Sequence, residues 1–479
     1  MRVQVTTHLP NVQSLTRIYL VAALSAAAFP ALAQDEAKAH FAYIGPLSSL
    51  MPEGKTPGSV SAGLPFTIVL KDGGRTVAGG SYDLKIPGAD MPLKLTLANL
   101  KCDGGHVTAQ AKVENGTGSA VEGVRLDISG AIETYKAKDD QGKEVLKTRP
   151  QKVAIASPLH FGDIANSQDN GELALDASAV TFAPETTEIA VNGIVSGLRY
   201  ERALDLPDVA TNGQIDVDAK GRVYVSSTAG NQVARIDNDG KNLAVAAKLP
   251  DQCKGMAVNR LTGDIAATCG NNGKVFIFAA GGDDKGTIAE AQGLDNYPSW
   301  MRYDSKGTLW GTVTSGPWHF GADGKPIEKV LKAGDYDINS DSPFDVVSDG
   351  TIYVVSDQTL HRISPDRKTA RRIAVGPGTK LGQLNAPIAC RVDPNGNVYV
   401  TENDSESCSS RISVFDRQGN FVRVFGRGAR TPAPGFPDEY HAAQVLAPSD
   451  VAFGPDGRVY VNTARKADGA CHVFVFQPF

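Results

Sequence analysis

The sequence predicts an all-β protein with two folded parts, and three observations support that fold class. The 479 residues include 50 Gly and 27 Pro, so turn-forming residues interrupt the chain too often for long helices. Short runs rich in Val, Ile and Tyr lie between these residues, as expected for strands. A strand–turn–strand pattern also recurs six times in the second half. The hydrophobic fraction of 41% excludes a disordered chain.

The first 33 residues have the features of a secretory signal peptide. Arg2 and Arg17 supply positive charge, and an apolar run covers residues 18–29. This run is too short to span a bilayer. An A-x-A sequence ends at Ala33, so we expect cleavage near Ala33 and Gln34. The sequence therefore predicts a periplasmic or secreted protein without an integral membrane segment.

Residues 34–196 show alternating strands without the repeat. Examples are 66–70, 106–113 and 124–128, and a turn signal occurs at Asn115-Gly-Thr-Gly118. Strands at this spacing, separated by turn residues, are typical of an immunoglobulin-like β-sandwich. We expect such a domain over 34–196, and the likeness is one of architecture.

A repeat organises residues 197–479. Each copy has an apolar strand, a turn that ends in Gly and a second apolar strand. Asp or Asn in the turn bonds its own backbone, and Gly takes the positive φ that closes the hairpin. Third and fourth strands often follow, and four strands per unit are typical of a β-propeller blade. The turn glycines that define repeats 1 to 6 are Gly221, Gly263, Gly307, Gly350, Gly396 and Gly457.

The last repeat lacks an outer strand. Repeat 6 ends with its third strand at 472–477, and a strand-like segment at 198–204 precedes repeat 1. We expect segment 198–204 to complete the sheet of repeat 6. A ring closed in this way leaves no bare edge at the seam.

Two segments, 386–400 and 446–461, resemble NHL-type repeats of six-bladed β-propellers. The resemblance covers roughly residues 198–479 and implies the fold. That superfamily includes binding scaffolds as well as metal-dependent lactonases and lyases, so the resemblance does not select a function. The Asn-His-Leu signature itself is absent from this sequence.

Six cysteines occur without a C-x-x-C motif, which argues against a zinc ribbon or a redox dithiol. Cys253 and Cys269 are symmetric about the turn at 260–263, so we predict that they face each other and form a disulfide. A bridge between Cys408 and Cys471 is a further alternative, and the two remaining cysteines are expected to be buried thiols.

Candidate ligand contacts lie where the inner strands of the repeats begin. Propellers usually bind ligands at this face, over the central channel. The candidates are Trp300, Trp318, Arg302 and Arg391. Trp318 is expected in a loop between second and third strands.

A second set of side chains would suit a metal-dependent hydrolase or lyase of the lactonase type. Asp345, Asp450 and Glu402 could supply oxygen ligands to Ca²⁺, and His441 or His319 could act as the base that activates water. Glu402 and His319 are expected in loops between second and third strands.

These observations leave two functions open. The first is an exported, non-enzymatic binding or scaffold protein that binds a protein, peptide or glycan on one face and needs no cofactor. The alternative is a Ca²⁺-dependent hydrolase or lyase with its site at the channel mouth. The formal net charge of −5 argues against nucleic acid as a partner. Whether the protein is an enzyme stays open.

Overall fold

The computed structural model describes most of the chain after residue 62. The predicted signal peptide, His441 and Cys408 lie outside the described residues. No helix among the described residues is long and apolar enough to cross a membrane. The described ranges are 63–151, 158–165, 167–169, 171, 173–206, 213–227, 230–250, 252–269, 275–280, 284–288, 299–312, 316–321, 326–338, 342–378, 380–404, 409–429, 445, 447–463 and 471–479.

The first part of the chain consists of strands and one short 3₁₀ turn, Asp72–Gly74. Its strands are β1 (Leu64–Lys71), β2 (Thr76–Ala78), β3 (Ser81–Leu84), β4 (Leu93–Asp103), β5 (His106–Asn115), β6 (Val121–Lys138), β7 (Glu144–Gln151), β8 (Leu159–Ile164), β9 (Leu173–Ala179) and β10 (Thr186–Leu206).

Two antiparallel sheets enclose the core of this part. One has the order β3-β4-β5-β9. The other contains β2-β1-β10, and β6 pairs with β10 and also with β7 and β8. Both sheets contribute to one buried apolar cluster, for example Leu95 and Val113 from the first and Ile68 and Val191 from the second. The two sheets therefore pack face to face, and an immunoglobulin-like topology stays a prediction.

Strand β10 continues through the predicted domain boundary at 196/197. Its first part pairs with β1 and β6, and its second part, Leu198–Leu206, pairs with the last strand of repeat 6. The expected pairing of 198–204 with repeat 6 is thus confirmed. Because no turn interrupts the strand, the two parts of the chain share one sheet.

The second part contains the strands of the repeats. Repeat 1 has β11 (Ile215–Val217), β12 (Val223–Ser226), β13 (Gln232–Ile236) and β14 (Ala244–Lys248); repeat 2 has β15 (Cys253–Val258), β16 (Ile265–Cys269), β17 (Val275–Phe278) and β18 (Asp284–Ile288); repeat 3 has β19 (Met301–Tyr303), β20 (Leu309–Thr312), β21 (Pro317–Phe320) and β22 (Pro326–Lys329), followed by a small hairpin, β23 (Lys332–Ala333) and β24 (Tyr336–Asp337).

The remaining strands follow the same order. Repeat 4 has β25 (Phe344–Val346), β26 (Ile352–Ser356), β27 (Thr359–Ile363) and β28 (Ala370–Val375); repeat 5 has β29 (Pro387–Val392), β30 (Val398–Asp404), β31 (Ser409–Phe415) and β32 (Phe421–Ala429); repeat 6 has β33 (Pro448–Phe453), β34 (Val459–Thr463) and β35 (Cys471–Pro478).

Repeats 1 to 5 each form a four-stranded antiparallel sheet in sequence order, and repeat 6 continues into β10. Apolar clusters lie between successive sheets; Tyr224 of repeat 1, for example, packs with Met256 and Phe278 of repeat 2. The inner strand β11 adjoins both β15 and β33. Sheets stacked in this way around their first strands form a β-propeller.

The turn chemistry explains why these hairpins form. All six turn glycines have φ between 75° and 87°, a left-handed conformation that other residues adopt at a cost. In repeat 1 the Asp218 carboxylate accepts hydrogen bonds from the backbone N–H groups of Lys220 and Arg222, both at 2.9 Å. The predicted role of the Asp and Gly residues is confirmed.

Candidate functional site: the central channel and its mouth

The inner strands pair on one side only, so their other edge faces the centre. Buried backbone N–H groups at such an edge need acceptors. Aspartate side chains of the neighbouring repeats supply them. The bonds run from Val258 N to Asp216 (3.0 Å), from Val392 N to Asp345 (2.7 Å) and from Ile215 N to Asp450 (3.3 Å). Each aspartate therefore joins its own inner strand to that of the next repeat.

Two arginines cross the channel and neutralise two of these acids. Arg302 of repeat 3 places Nη2 at 3.2 Å and 3.3 Å from the carboxylate oxygens of Asp450 in repeat 6. Arg391 of repeat 5 places Nη2 at 3.1 Å from Asp216 in repeat 1. Arg302 is 2% exposed and Asp450 is fully buried. A buried charge is tolerated only when it is paired, and here the partners come from distant repeats.

A third arginine covers the side of the channel where the hairpin turns lie, which we call the turn side. Arg260 extends from the turn of repeat 2 and donates to the carbonyl oxygen of Phe453 in repeat 6 at 2.7 Å. Its guanidinium is also 3.9 Å from Asp216. Three acids and three arginines thus line the channel, and their charges balance.

Burial shifts the pKa values of several side chains that line the channel. Burial raises the pKa of the Asp450 carboxyl, while Arg302 and Arg391 oppose the rise. Burial also lowers the pKa of Arg302, and the neighbouring positive charge of Arg391 adds to that decrease. Cys390 lies beside the network as a buried thiol, with Sγ 3.6 Å from the carbonyl oxygen of Tyr353, and burial raises its pKa.

The opposite end of the channel, which we call the mouth, is where the inner strands begin. Gln214 bridges three repeats there. Its Oε1 accepts from the N–H groups of Met256 and Met301 at 3.0 Å and 3.3 Å, and its Nε2 donates to the carbonyl oxygen of Ser299 at 2.5 Å. Trp300 is the neighbouring side chain and is half-buried.

The Trp300 indole lies beside the channel network and also packs against the apolar cluster between repeats 3 and 4. The Arg302 guanidinium is 5.5 Å from the centroid of the ring, within cation–π range. The mouth therefore combines a half-buried aromatic ring with a buried positive charge beside it. These are two of the four side chains that the sequence predicted as ligand contacts.

Sequence reasoning missed a hydroxyl position that orders the mouth. In repeats 1, 2, 3 and 5, the Ser or Thr five residues after the turn Gly accepts a hydrogen bond from the N–H at the start of the inner strand, whereas in repeat 6 this position is Asn462. In repeat 4 that inner-strand residue is Pro343, which has no N–H, and the hydroxyl residue is replaced by Val355. The bonds run from Gln214 N to Ser226 (2.8 Å), Gly255 N to Thr268 (2.7 Å), Trp300 N to Thr312 (3.2 Å) and Ala389 N to Thr401 (3.0 Å).

Glu402 lies away from the channel network. It belongs to strand β30 rather than to the loop in which it was expected, and it is 1% exposed. Its carboxylate accepts from Arg411 Nε at 3.0 Å and Nη2 at 2.9 Å, from Asn385 N at 2.6 Å and from the Ser413 hydroxyl. Burial raises the pKa of Glu402, and Arg411 opposes that rise.

Trp318 and His319 also lie in a strand and not in the expected loop. They form part of β21, because this strand already begins at Pro317, which pairs with Thr312 of β20. Trp318 is 4% exposed, and the Lys329 ammonium lies 4.0 Å from its ring centroid. The His319 imidazole is stacked on Trp310 at 4.4 Å. Trp318 thus belongs to the apolar cluster between repeats 2 and 3, and His319 packs within repeat 3.

The predicted Ca²⁺ ligands do not all come together. Asp345 and Asp450 face the same channel and both act electrostatically on Arg391, whereas Glu402 binds Arg411 elsewhere in repeat 5. In the described part of the chain, no three His, Cys, Asp or Glu side chains are placed to hold a metal ion. The Ca²⁺ site stays a prediction.

The register of repeat 2 places Cys253 directly opposite Cys269, as the symmetric spacing predicted. The side chain of Cys269 lies outside the described residues. The hairpin pairing is therefore confirmed, and the disulfide stays a prediction.

No protein-family model and no curated protein matches the sequence. The chain is similar to solved structures of other proteins, for example a gluconolactonase, a lyase and a WD40 domain. A gluconolactonase from Xanthomonas campestris is 15% identical with a TM-score of 0.41, over 59% of this chain and 90% of that one. Virginiamycin B lyase from Staphylococcus aureus is 14% identical with a TM-score of 0.36, over 73% and 98%. The WD40 β-propeller domain of Doa1 is 12% identical with a TM-score of 0.38, over 58% and 96%.

Proposed function

We propose that the protein is an exported binding module that recognises a protein, peptide or glycan at the mouth of the propeller. The observation that carries the proposal is the half-buried Trp300 next to Arg302, at the start of an inner strand of a channel whose acids are already engaged. Aromatic and arginine side chains dominate binding energy at interfaces. A flat indole ring also suits the apolar face of a sugar or a peptide side chain.

The channel acids already have hydrogen-bond and ion-pair partners, so a metal ion could bind there only by breaking these interactions. Asp450 accepts from two backbone N–H groups and pairs with Arg302, so a Ca²⁺ ion would have to displace these donors. Losing a partner of a buried charged pair costs about 3–5 kcal/mol. The binding function requires no such rearrangement.

The architecture that we propose for this function is finer than the fold described above. Repeats 1 to 6 would be the blades of a six-bladed, NHL-like ring closed by β10. An immunoglobulin-like domain would precede the ring as a spacer, and the signal peptide would direct the protein to the periplasm or the exterior. A Cys253–Cys269 disulfide would suit that oxidising location.

Binding to glycan and peptide arrays tests the proposed function. We expect the purified protein to bind selected members of one array. Trp300→Ala should weaken that binding about tenfold or more, because an aromatic hot spot at the mouth is lost. Leu261→Ala is the matched control, since Leu261 is 52% exposed and lies in the turn of repeat 2 on the opposite side.

Two outcomes would contradict this function. Binding by Trp300→Ala that equals binding by the wild type and by Leu261→Ala would place the binding surface away from the mouth. Hydrolysis of a lactone or ester by the wild type, abolished by Asp345→Ala, would favour the enzyme alternative.

A further inference from the structure

A row of side chains crosses the sheet of repeat 4 and ends in two arginines. The register places Asp345, Tyr353, Arg362 and Arg371 opposite one another on the four successive strands. Direct cross-strand partners have Cβ atoms roughly 4.5–5.5 Å apart. Arg362 and Arg371 therefore present two like charges side by side, an arrangement that destabilises a sheet.

The corresponding rows of two other repeats avoid this repulsion. In repeat 1, Arg235 of the third strand faces Ala244 of the outer strand. In repeat 3, His319 faces Glu328. The paired arginines of repeat 4 are thus a departure from the repeat and not a requirement of its fold.

A third arginine, Arg417 of repeat 5, lies next to Tyr353 of this row. The Tyr353 hydroxyl donates to the carbonyl oxygen of Arg417 at 3.5 Å. A Cβ on Gly396 would lie 1.8 Å from Arg417 Nε, so the guanidinium occupies space that only Gly leaves open. Burial raises the pKa of Tyr353, and the positive charges of Arg362 and Arg417 oppose this rise. The two guanidinium groups therefore lie close to the phenol.

This basic crevice, formed by Arg362, Arg371 and Arg417 around Tyr353, lacks acidic partners. None of the ion pairs among the described residues involves these three arginines. The Nε of Arg362 is buried and has no acceptor. Asp345 of the same row already accepts from the N–H of Val392 at 2.7 Å, and Asp349 is exposed and accepts from the N–H of Thr351 at 2.8 Å.

We propose that the basic crevice between repeats 4 and 5 binds a tetrahedral oxyanion, either sulfate or a phosphate group. Guanidinium groups bind such oxygens through paired, charge-assisted hydrogen bonds. A shared anion also removes the repulsion between Arg362 and Arg371 and gives the buried Nε an acceptor. The crevice lies on the turn side, beside Gly396, so it is separate from the mouth and does not depend on the function proposed there.

Calorimetric titration with two anions tests this site. Sodium sulfate and sodium phosphate are titrated separately into the purified protein, with ionic strength held constant by NaCl. We expect saturable binding of at least one anion, and the two arms show which one is preferred. Arg371→Gln and Arg362→Gln should each weaken binding about tenfold, because one charged hydrogen-bond donor group is lost.

Arg235→Gln is the matched control, because it changes the same row of repeat 1, where no second arginine is present. It should bind the anion as the wild type does. Arg371 is exposed, so its variant keeps the test valid even where Arg362→Gln does not fold. Equal affinity in all four proteins, or no saturable binding of either anion, would overturn the proposal.

Discussion

At the residue scale, three carboxylates supply acceptors that a neighbouring strand would otherwise provide to the inner strands. They belong to Asp216, Asp345 and Asp450. Each accepts an N–H group from the inner edge of the next repeat. A buried N–H without an acceptor costs about 1–3 kcal/mol. Asp450 and Asp216 also pair with Arg302 and Arg391, so these two acids serve both the backbone and the charge balance.

Removing one arginine of this network should destabilise the protein strongly. Arg302→Ala leaves the fully buried Asp450 carboxylate without its partner, so we expect the free energy of unfolding to fall by about 3–5 kcal/mol. Urea denaturation measures the change. Lys241→Ala is the control, because Lys241 forms an exposed pair with Asp239 and should change stability by less than about 1 kcal/mol. Similar losses in both variants would contradict the account.

At the scale of elements, strand β10 and the chain end fasten the two parts of the molecule together. Gly197 and Phe479 exchange backbone hydrogen bonds, both at 3.0 Å. The Phe479 ring is buried in the core of the first part, and a Cβ on Gly197 would lie 2.6 Å from that ring. Gly at this position therefore permits close packing between β10 and β35.

A second contact joins β6 and β8 to the outer strand of repeat 5. Glu122 accepts from the N–H of Gly426 at 2.5 Å, and Arg125 donates to the carbonyl oxygen of Val422 at 3.1 Å. Burial raises the pKa of Glu122 well above its usual range, and the nearby Asp163 adds to the rise. The rings of His160 and Phe421 are also in contact there, with centroids 5.3 Å apart and a tilt of 47°.

This contact should make stability depend on pH. Because the folded pKa of Glu122 is raised, the folded state keeps a proton that the unfolded chain releases. The free energy of unfolding should therefore fall as pH rises from the ordinary carboxyl range through the raised pKa. Glu122→Gln retains an acceptor for Gly426 without the titration, so its stability should fall less with pH.

Urea denaturation of both proteins at several pH values, from the ordinary carboxyl range upward, checks this expectation. Burial and the charge of Arg125 lower the pKa of His160 to about 4, and because both proteins contain His160, its titration does not enter the difference between them. Glu122→Gln should gain stability relative to the wild type as pH increases. Parallel stability curves for the two proteins would refute the role of Glu122.

At the scale of the whole molecule, the repeat made much of the fold predictable. A turn Gly requires positive φ, and the Asp before it bonds its own turn, so both are local signals. The symmetric spacing of Cys253 and Cys269 likewise predicted their register. The Ser or Thr five residues after most turn glycines can also be recognised in the sequence. The backbone N–H group that it binds, at the start of the inner strand, is evident only from the hydrogen bonds of the structure.

The contacts across the channel could not be predicted in the same way. Arg302 and Asp450 are 148 residues apart, and their pairing depends on how the repeats close around the centre. Glu402 and His319 were expected in loops because strand ends are poorly defined by composition. Both are held in strands by cross-strand partners. The basic crevice arises from two repeats and has no continuous sequence signal.

We expect the channel acids to hold the repeats together rather than to bind a metal. The thermal unfolding midpoint of the purified protein, measured in excess CaCl₂ and in EDTA, tests this claim most directly. We predict the same midpoint in both conditions, and lower midpoints for Asp345→Asn and Asp450→Asn in either one. A midpoint that rises with Ca²⁺ in the wild type, and no longer does so in both variants, would contradict the account.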